Sequence, residues 1–206
     1  TTSTKIDPRE KWPITPSGAA WLDEHPDDAV EFVRAARSFR AFLRHWRFID
    51  QESGRPRVLG EVLWEAQEEF VRMIEDPASL DQETTKDWIF FLKARKLGET
   101  TIECAYDAWV MRFRDYNARV HLFSRRDDAA QELLTAVRYG LERLPEYMRL
   151  TVVRSTTHEY VLEGCHVEET GETDDRRMAK AYPADEDTAV EATCTHGHVD
   201  EWARMG

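Results

Sequence analysis

The sequence predicts an α/β fold, in which a parallel sheet is flanked by helices and preceded by a helical N-terminal segment. Residues 88–92, Trp-Ile-Phe-Phe-Leu, form a short continuous apolar run, which is typical of a strand buried on both faces of a parallel sheet. Residues 87–144 then follow the order strand, loop, helix, strand, helix. This order implies parallel strands joined by crossover helices.

The N-terminal half divides into an irregular segment, residues 1–26, and the start of a domain that covers residues 27–206. The first segment is predicted to be irregular because prolines interrupt it at Pro8, Pro13, Pro16 and Pro26. Asp27 or Asp28 is then predicted to cap a helix. Its inward-facing residues, at steps of three and four, are Val30, Val33, Ala36, Phe39, Leu43 and Trp46.

A second helix is predicted after a turn over residues 51–56. It begins at about Glu61 and ends at Asp76-Pro77, because proline and the residue before it disfavour helix. The residues expected to face inward are Leu63, Ala66, Phe70 and Ile74.

The rest of the chain alternates between further predicted helices and strands. A helical pattern covers residues 102–113, a strand pattern 119–124, and a second helical pattern 127–144. Residues 151–167 are rich in β-forming residues and suit two short strands. The C-terminal predictions are a charged turn at 168–177, a strand at 179–184, an irregular or short helical piece at 185–192, and a last strand at 195–199.

Composition and charge restrict the classes of protein to which the chain belongs. Hydrophobic residues make up 41% and charged residues 33%, and no apolar run approaches the length of a membrane span. Three widely spaced cysteines do not form a disulfide framework, so we expect a soluble protein of a reducing cytoplasm. The net charge of −12 implies that any contact with nucleic acid uses a local patch or an assembly.

Residues 93–101, Lys-Ala-Arg-Lys-Leu-Gly-Glu-Thr-Thr, have the composition of a phosphate-binding loop. They follow a predicted buried strand and lead directly into a helix, whose first N–H groups and dipole attract anions. Gly98 allows the backbone to approach a ligand closely. A threonine hydroxyl in the first turn suits the ligand shell of Mg²⁺.

Asp200 and Glu201 follow the last predicted strand, about 100 residues beyond this loop. An acid at that point in a nucleotide-hydrolysing protein holds Mg²⁺, and a second carboxylate polarises the attacking water. Two other Asp-Glu pairs, Asp23-Glu24 and Asp185-Glu186, are interpreted as solvated acids.

These motifs together resemble the ATPase domain of the large subunit of tailed-phage terminases. The common phosphate-loop pattern, Gly-Lys-Ser/Thr, is absent, because Glu99 holds the lysine position. The string Lys-x-Arg-x-x-Gly-x-Thr-Thr is instead similar to the deviant Walker A motif of that family. Residues 200–203, Asp-Glu-Trp-Ala, resemble its Walker B motif, and residues 63–67, Leu-Trp-Glu-Ala-Gln, resemble its adenine-reading segment.

The resemblance implies a P-loop NTPase-type fold and Mg²⁺-dependent hydrolysis of ATP. Lys93 and Arg95 would hold the β- and γ-phosphates, and Thr100 and Asp200 would hold Mg²⁺. Glu201 would activate water, and Gln67 would pair with adenine, because an amide both donates and accepts. The implied nucleotide-binding residues are Gln67, Lys93, Ala94, Arg95, Lys96, Leu97, Gly98, Glu99, Thr100 and Thr101.

The same resemblance implies the biological setting of a DNA-packaging motor. Its partners would be double-stranded DNA, a portal protein and a small terminase subunit, and the complete protein would form a homo-oligomeric ring. The location would be the host cytoplasm, at the procapsid portal. The family continues into a coupling motif and a nuclease domain, whereas this sequence ends at Gly206, so we expect an ATPase domain that is incomplete at its C-terminal end.

Two alternatives remain open at the level of sequence. Glu99, and Val190-Glu191 at the place where the family often carries an arginine, suit a non-catalytic P-loop-like interaction module. A zinc site is the second alternative, because its residue types are present in Cys165, Cys194, His196 and His198. No Cys-x-x-Cys or His-Glu-x-x-His spacing accompanies them.

Overall fold

The computed structural model describes Pro8 and residues 11–75, 98–114, 116–168, 171–183 and 193–200. Within these ranges the chain forms a mixed α/β structure, with a five-stranded sheet flanked by helices and a separate two-stranded hairpin. The helices are α1 Pro16–Glu24, α2 Pro26–Arg37, α3 Phe39–Phe42, α4 Glu65–Glu75, α5 Glu99–Trp109 and α6 Asp127–Leu141. The strands are β1 Arg47–Ile49, β2 Pro56–Val58, β3 Arg119–Ser124, β4 Thr151–Ser155, β5 Glu159–Glu168, β6 Gly171–Pro183 and β7 His196–Val199.

The main sheet is mixed rather than wholly parallel, with the strand order β4-β5-β6-β3-β7. Strand β3 runs parallel to both of its neighbours, β6 and β7. Strands β4, β5 and β6 pair antiparallel with one another. The predicted parallel sheet is therefore correct for β3 and its neighbours and wrong for the β4–β6 side.

Strand β6 covers most of the residues predicted as a charged turn, 168–177, and continues through the strand predicted at 179–184. Its charges are compatible with a strand because they meet opposite charges. Arg176 lies opposite Glu163 of β5, with an ion-pair distance of 3.4 Å. Arg177 and Asp175 are both buried and bind each other at 2.6 Å. The ion pair along the strand thus replaces solvation of Asp175 and Arg177, whereas Arg176 stays largely exposed.

The N-terminal residues are more ordered than the prolines predicted. Helix α1 starts at Pro16. Proline is favoured in a first helical turn because the N–H that it lacks would have no partner within the helix there. Thr15 caps the helix by accepting a hydrogen bond from the Gly18 N–H at 3.1 Å. Pro26 begins α2 in the same way, so His25 occupies the cap position predicted for Asp27 or Asp28. The prediction of an irregular segment is therefore wrong for residues 16–24.

The helix predicted from residue 30 to residue 46 is divided at Ser38. The Ser38 hydroxyl accepts a hydrogen bond from the Ala41 N–H at 3.1 Å and donates to Glu75 Oε1 at 2.7 Å, so it starts α3 and ties it to α4. Phe39, Leu43 and Trp46 are buried as predicted. Val30 is 52% exposed, contrary to the prediction.

The predicted turn at 51–56 joins the antiparallel strands β1 and β2. Helix α4 begins at Glu65, four residues later than expected. Ala66 is exposed, contrary to the prediction, and Gln67 is buried because it shares a helical face with Phe70, Val71 and Ile74. Phe70 and Ile74 are buried as predicted.

The central helices agree with their sequence patterns. Helix α5 starts at Glu99 and continues into a π-helical turn, Val110–Arg114, and α6 follows β3 directly. Trp109 of α5 donates a hydrogen bond from Nε1 to the carbonyl of Ala35 at 2.8 Å, which joins α5 to α2. The helices within the described ranges are too short and too polar to cross a bilayer.

Candidate functional site

The structure tests only part of the predicted nucleotide site. The strand predicted at 88–92, the loop residues Lys93, Ala94, Arg95, Lys96 and Leu97, and the acid Glu201 lie outside the described residues. Gln67, Gly98, Glu99, Thr100, Thr101 and Asp200 lie within them. Four of these six residues lie at the start of α5, one is on α4, and one comes directly after β7.

Gly98 immediately precedes α5 and has a φ angle of 77°, in the left-handed region that favours glycine. The Thr101 N–H donates to the Gly98 carbonyl at 3.1 Å, so the first helical turn closes on this glycine. Glu99, Thr100 and Thr101 are half-buried in that turn. The predicted helix start is therefore present, with its two hydroxyl residues in the first turn.

Gln67 lies against Gly98, although 31 positions separate them in the sequence. A Cβ atom added to Gly98 would be 2.6 Å from Gln67 Nε2. Gln67 is buried, at 6% exposed, and its Oε1 accepts a hydrogen bond from the Trp64 N–H at 3.3 Å. The predicted adenine-reading residue is thus a fixed side chain at the start of α5 and not a solvated helical glutamine.

Asp200 directly follows β7, as predicted. Its backbone N–H donates to the carbonyl of Phe123 at 2.9 Å and extends the pairing between β7 and β3 beyond Val199. Because β3 and β7 are parallel, Asp200 and Ser124 lie at the same edge of the sheet, where both strands end.

A buried charged cluster joins α5 to β7, and we call it the α5–β7 cluster: Glu103, Asp107, His196, His198 and Asp200. Alternate residues of β7 face the same side, and residues four apart on α5 share a face. Asp107 contacts both histidines, His196 Nε2 through Oδ1 at 3.0 Å and His198 Nδ1 through Oδ2 at 2.6 Å. Glu103 Oε2 lies 3.3 Å from His198 Nε2.

The α5–β7 cluster places Asp200 beside Glu103, in the N-terminal half of α5. Ligand atoms of Glu103, His198 and Asp200 lie within 4.8 Å of one another. Thr100 is three residues before Glu103, about one helical turn away on the same face of α5. The structure therefore places the predicted acid beside the N-terminal half of the helix that Gly98 precedes.

The cluster strongly shifts the protonation of His198. Burial alone would lower the pKa of His198, but the charge and hydrogen bond of Asp107, followed by Glu103, raise it to about 10. Burial would raise the pKa of Asp107, and the two histidines together hold it below its ordinary value. The favoured state is a protonated His198 between two carboxylates.

The four residues of the predicted zinc alternative do not converge. Cys165 is on β5, three strand spacings from β7, which is about 14 Å. Cys194 is exposed, and neither cysteine belongs to a group of close ligand atoms among the described residues. Among the described residues, His198 is the only member of the predicted zinc site that lies in a group of close ligand atoms.

Glu103 and Asp107 were not identified from the sequence. Their spacing of four residues, with Thr100 on the same helical face, was the available signal, together with the alternation His196, His198 and Asp200 on β7. Neither pattern indicates which strand a helix faces. The pairing of the two faces follows only from the packing of α5 on β7.

No family model matches the sequence, and no curated protein matches it significantly.

Proposed function

We propose that the chain is a Mg²⁺-dependent ATPase domain with a P-loop NTPase-type fold. The observation that carries the proposal is the position of Asp200. It ends a strand parallel to β3 and lies beside the N-terminal half of a helix that starts, about 100 residues earlier, with Gly98 and two threonines. A phosphate-binding helix start and a metal-binding acid are required at one place for phosphoryl transfer.

The described residues have the chemistry that Mg²⁺ needs. The Thr100 hydroxyl and the Asp200 carboxylate are hard oxygen donors, and these two residues would hold the ion. When bound, Mg²⁺ neutralises charge on the phosphate oxygens. Lys93 and Arg95 would add positive charge at the β- and γ-phosphates, and Glu201 would orient the attacking water.

Gln67 is proposed to recognise the adenine edge. Its amide lies against Gly98, so the residue that reads the base and the loop that binds phosphate are in contact. The hydrogen bond from the Trp64 N–H to Oε1 fixes the side chain before any nucleotide arrives. Such preorganisation reduces the entropy cost of binding.

The larger function we propose is DNA packaging in a tailed phage, as the motor of a terminase large subunit. Its partners would be double-stranded DNA, a portal protein and a small terminase subunit, in a homo-oligomeric ring at the procapsid portal in the host cytoplasm. The sequence motifs support this part of the proposal. With a net charge of −12, contact with DNA would use a restricted basic surface.

Calorimetric titration with a non-hydrolysable ATP analogue and Mg²⁺ tests the site. We expect the whole chain to bind the analogue, Lys93→Ala to abolish binding, and Asp200→Asn to remove its dependence on Mg²⁺. Lys180→Ala is the matched control, because Lys180 is on β6 and its amine pairs with Glu159 at 3.8 Å. Absence of binding, or equal loss in both lysine variants, would overturn the proposal.

Hydrolysis is measured separately as phosphate release. Glu201→Gln should keep nucleotide binding and lose turnover, because it removes only the group that orients water. Binding by the unaltered chain without any turnover would instead support the non-catalytic module, for which Glu99 at the lysine position is the favouring observation.

A further inference from the structure

The α5–β7 cluster contains an imidazole nitrogen without a hydrogen-bond partner. His198 is 8% exposed, and its Nε2 atom is buried and makes no hydrogen bond. Glu103 Oε2 is at ion-pair distance from this atom, 3.3 Å, and Asp200 completes the group of close ligand atoms. A buried nitrogen directed at two carboxylates without an aligned hydrogen bond needs a physical explanation.

We infer that Glu103, His198 and Asp200 form a binding site for a divalent transition-metal ion of the Zn²⁺ type. One imidazole nitrogen and two carboxylate oxygens are ligands that zinc accepts, and three protein ligands leave a fourth position open. Tetrahedral bonds of about 2.1 Å place neighbouring ligand atoms about 3.4 Å apart. The distance between His198 Nε2 and Glu103 Oε2, 3.3 Å, matches this separation.

The other side of the His198 ring has the partner expected of a metal ligand. Ligating histidines usually donate their second N–H to a carboxylate, which fixes the ring and increases its basicity. Asp107 Oδ2 lies 2.6 Å from His198 Nδ1, and Asp107 is 1% exposed. His198 Nε2 is thereby directed at Glu103 and Asp200, and Asp107 is a positioning residue.

Charge also favours a cation at this position. Glu103, Asp107 and Asp200 bring three carboxylates to one buried imidazole. Without a metal, a proton on His198 compensates part of this charge, and metal binding would release that proton. The site differs from the zinc alternative predicted from sequence, with which it shares only His198. It shares Asp200 with the proposed ATPase but does not depend on nucleotide.

Titration of the whole chain with Co²⁺, followed by displacement with Zn²⁺, tests the site in nucleotide-free buffer. We expect one ion per chain, with the absorption of tetrahedral Co²⁺ and without a thiolate charge-transfer band. Asp107→Asn should weaken binding by about 10- to 100-fold. His198→Asn and Glu103→Gln should abolish stoichiometric binding.

The matched control is His158→Asn. His158 also contacts an aspartate, Asp127 at 3.0 Å, but its side chain is 51% exposed and lies outside the cluster. This variant should bind Co²⁺ as the unaltered chain does. If His198→Asn fails to fold by circular dichroism, Glu103→Gln decides the question, because the Glu103 side chain is 19% exposed and tolerates an amide more easily.

Three results would overturn the inference. The first is absence of binding, which would show that the cluster is an ion-pair network alone. The second is unchanged binding in Glu103→Gln. The third is a thiolate band, because it would place the ion near Cys104, whose sulfur groups with Asp107 and His198. Since no nucleotide is present, these results are independent of whether the chain hydrolyses ATP.

Discussion

The contact between Gly98 and Gln67 is the most specific single-residue feature of the proposed nucleotide site. Both Gly98 and Gly54 have positive φ angles, 77° and 64°, but only Gly98 has a close neighbour. Nothing lies within 4 Å of a Cβ atom built on Gly54. Comparing substitutions at the two glycines therefore distinguishes the cost of backbone strain from the cost of steric contact.

We predict that Gly98→Ala destabilises the chain more than Gly54→Ala. Each substitution costs about 1–2 kcal/mol from the left-handed conformation. Gly98→Ala additionally pushes against Gln67 Nε2, at 2.6 Å, and disturbs a buried side chain. Urea unfolding measures both variants, and equal losses of unfolding free energy would contradict the contact. If the nucleotide proposal is correct, only Gly98→Ala should also weaken binding of the ATP analogue.

Positions in the fold that depend on local sequence pattern were predictable, and contacts that depend on packing were not. Gly98 and Asp200 were placed correctly because a glycine opens an amphipathic helix and an acid follows a β-type run. Glu103 and Asp107 appear in sequence as ordinary polar positions of a helix. Their importance comes from β7, about 90 residues away in the chain. The roles of Gln67, Lys93, Arg95, Thr100, Asp200 and Glu201 all stay predictions.

At the scale of secondary-structure elements, two buried arginines join the end of α5 to the rest of the fold in different ways. Arg177 of β6 binds Asp175 Oδ2 through two nitrogens, at 2.6 and 3.0 Å, and donates to the Met111 carbonyl at 2.9 Å. Arg112, in the π-helical turn, donates from Nε to the Met148 carbonyl and stacks on Phe113. Its two terminal nitrogens are buried and make no hydrogen bond to the described residues.

We predict opposite outcomes for the methionine variants of these arginines. Arg177→Met should cost about 3–5 kcal/mol, because it removes the ion-pair partner of the buried Asp175 carboxylate. Arg112→Met should cost less than about 1 kcal/mol or stabilise the chain, because it removes a buried cation that Arg177 also repels. Urea unfolding distinguishes the two results. A loss in Arg112→Met as large as that in Arg177→Met would show that its guanidinium has a compensating partner.

The elements that the sequence predicted well are those with regular apolar patterns. Strand β3 has the predicted bounds, and α5, α6 and β7 were each expected within a few residues of their observed positions. Strand β6 was missed because Asp175, Arg176 and Arg177 suggest solvent, whereas Arg176 pairs with Glu163 of β5 and Asp175 pairs with Arg177 of β6 itself. Helix α1 was missed because Pro16 was interpreted as a breaker, although proline is favoured in a first turn.

At the scale of the whole molecule, the sheet combines two kinds of pairing with different predictability. Strand β3 is parallel to both of its neighbours, β6 and β7. The β4–β6 strands form antiparallel hairpin-like pairs whose charged sequence lacks regular alternation. The parallel and antiparallel parts meet where β6 pairs with β3, so they form one continuous sheet. The α5–β7 cluster lies at the β7 end of the strand order, and the bridge between Ile14 and Cys165 lies on β5, towards the other end.

The centre of this sheet contains a second titratable imidazole, His121 of β3, which is 2% exposed. It packs against Tyr182 and Phe123, with ring centroids 5.0 and 6.2 Å away. Burial, followed by the charges of Lys180 and Arg119, lowers the pKa of His121 below its ordinary value of 6.5. The folded chain therefore keeps this side chain neutral at a pH where the unfolded chain protonates it.

We predict that this difference makes the whole chain less stable as the pH falls. The contribution of His121 is fully present above about pH 6.5, and it is lost below that value because the unfolded state binds the extra proton. Urea unfolding between pH 6.5 and pH 5, where His198 is protonated in both states, should show a decline that is shallower in His121→Phe, by up to about 1.4 kcal/mol per pH unit. The exposed variant His158→Asn should keep the decline of the unaltered chain. Parallel curves for His121→Phe and the unaltered chain would mean that His121 takes up a proton in the folded state, and that β3 tolerates a charge at the centre of the sheet.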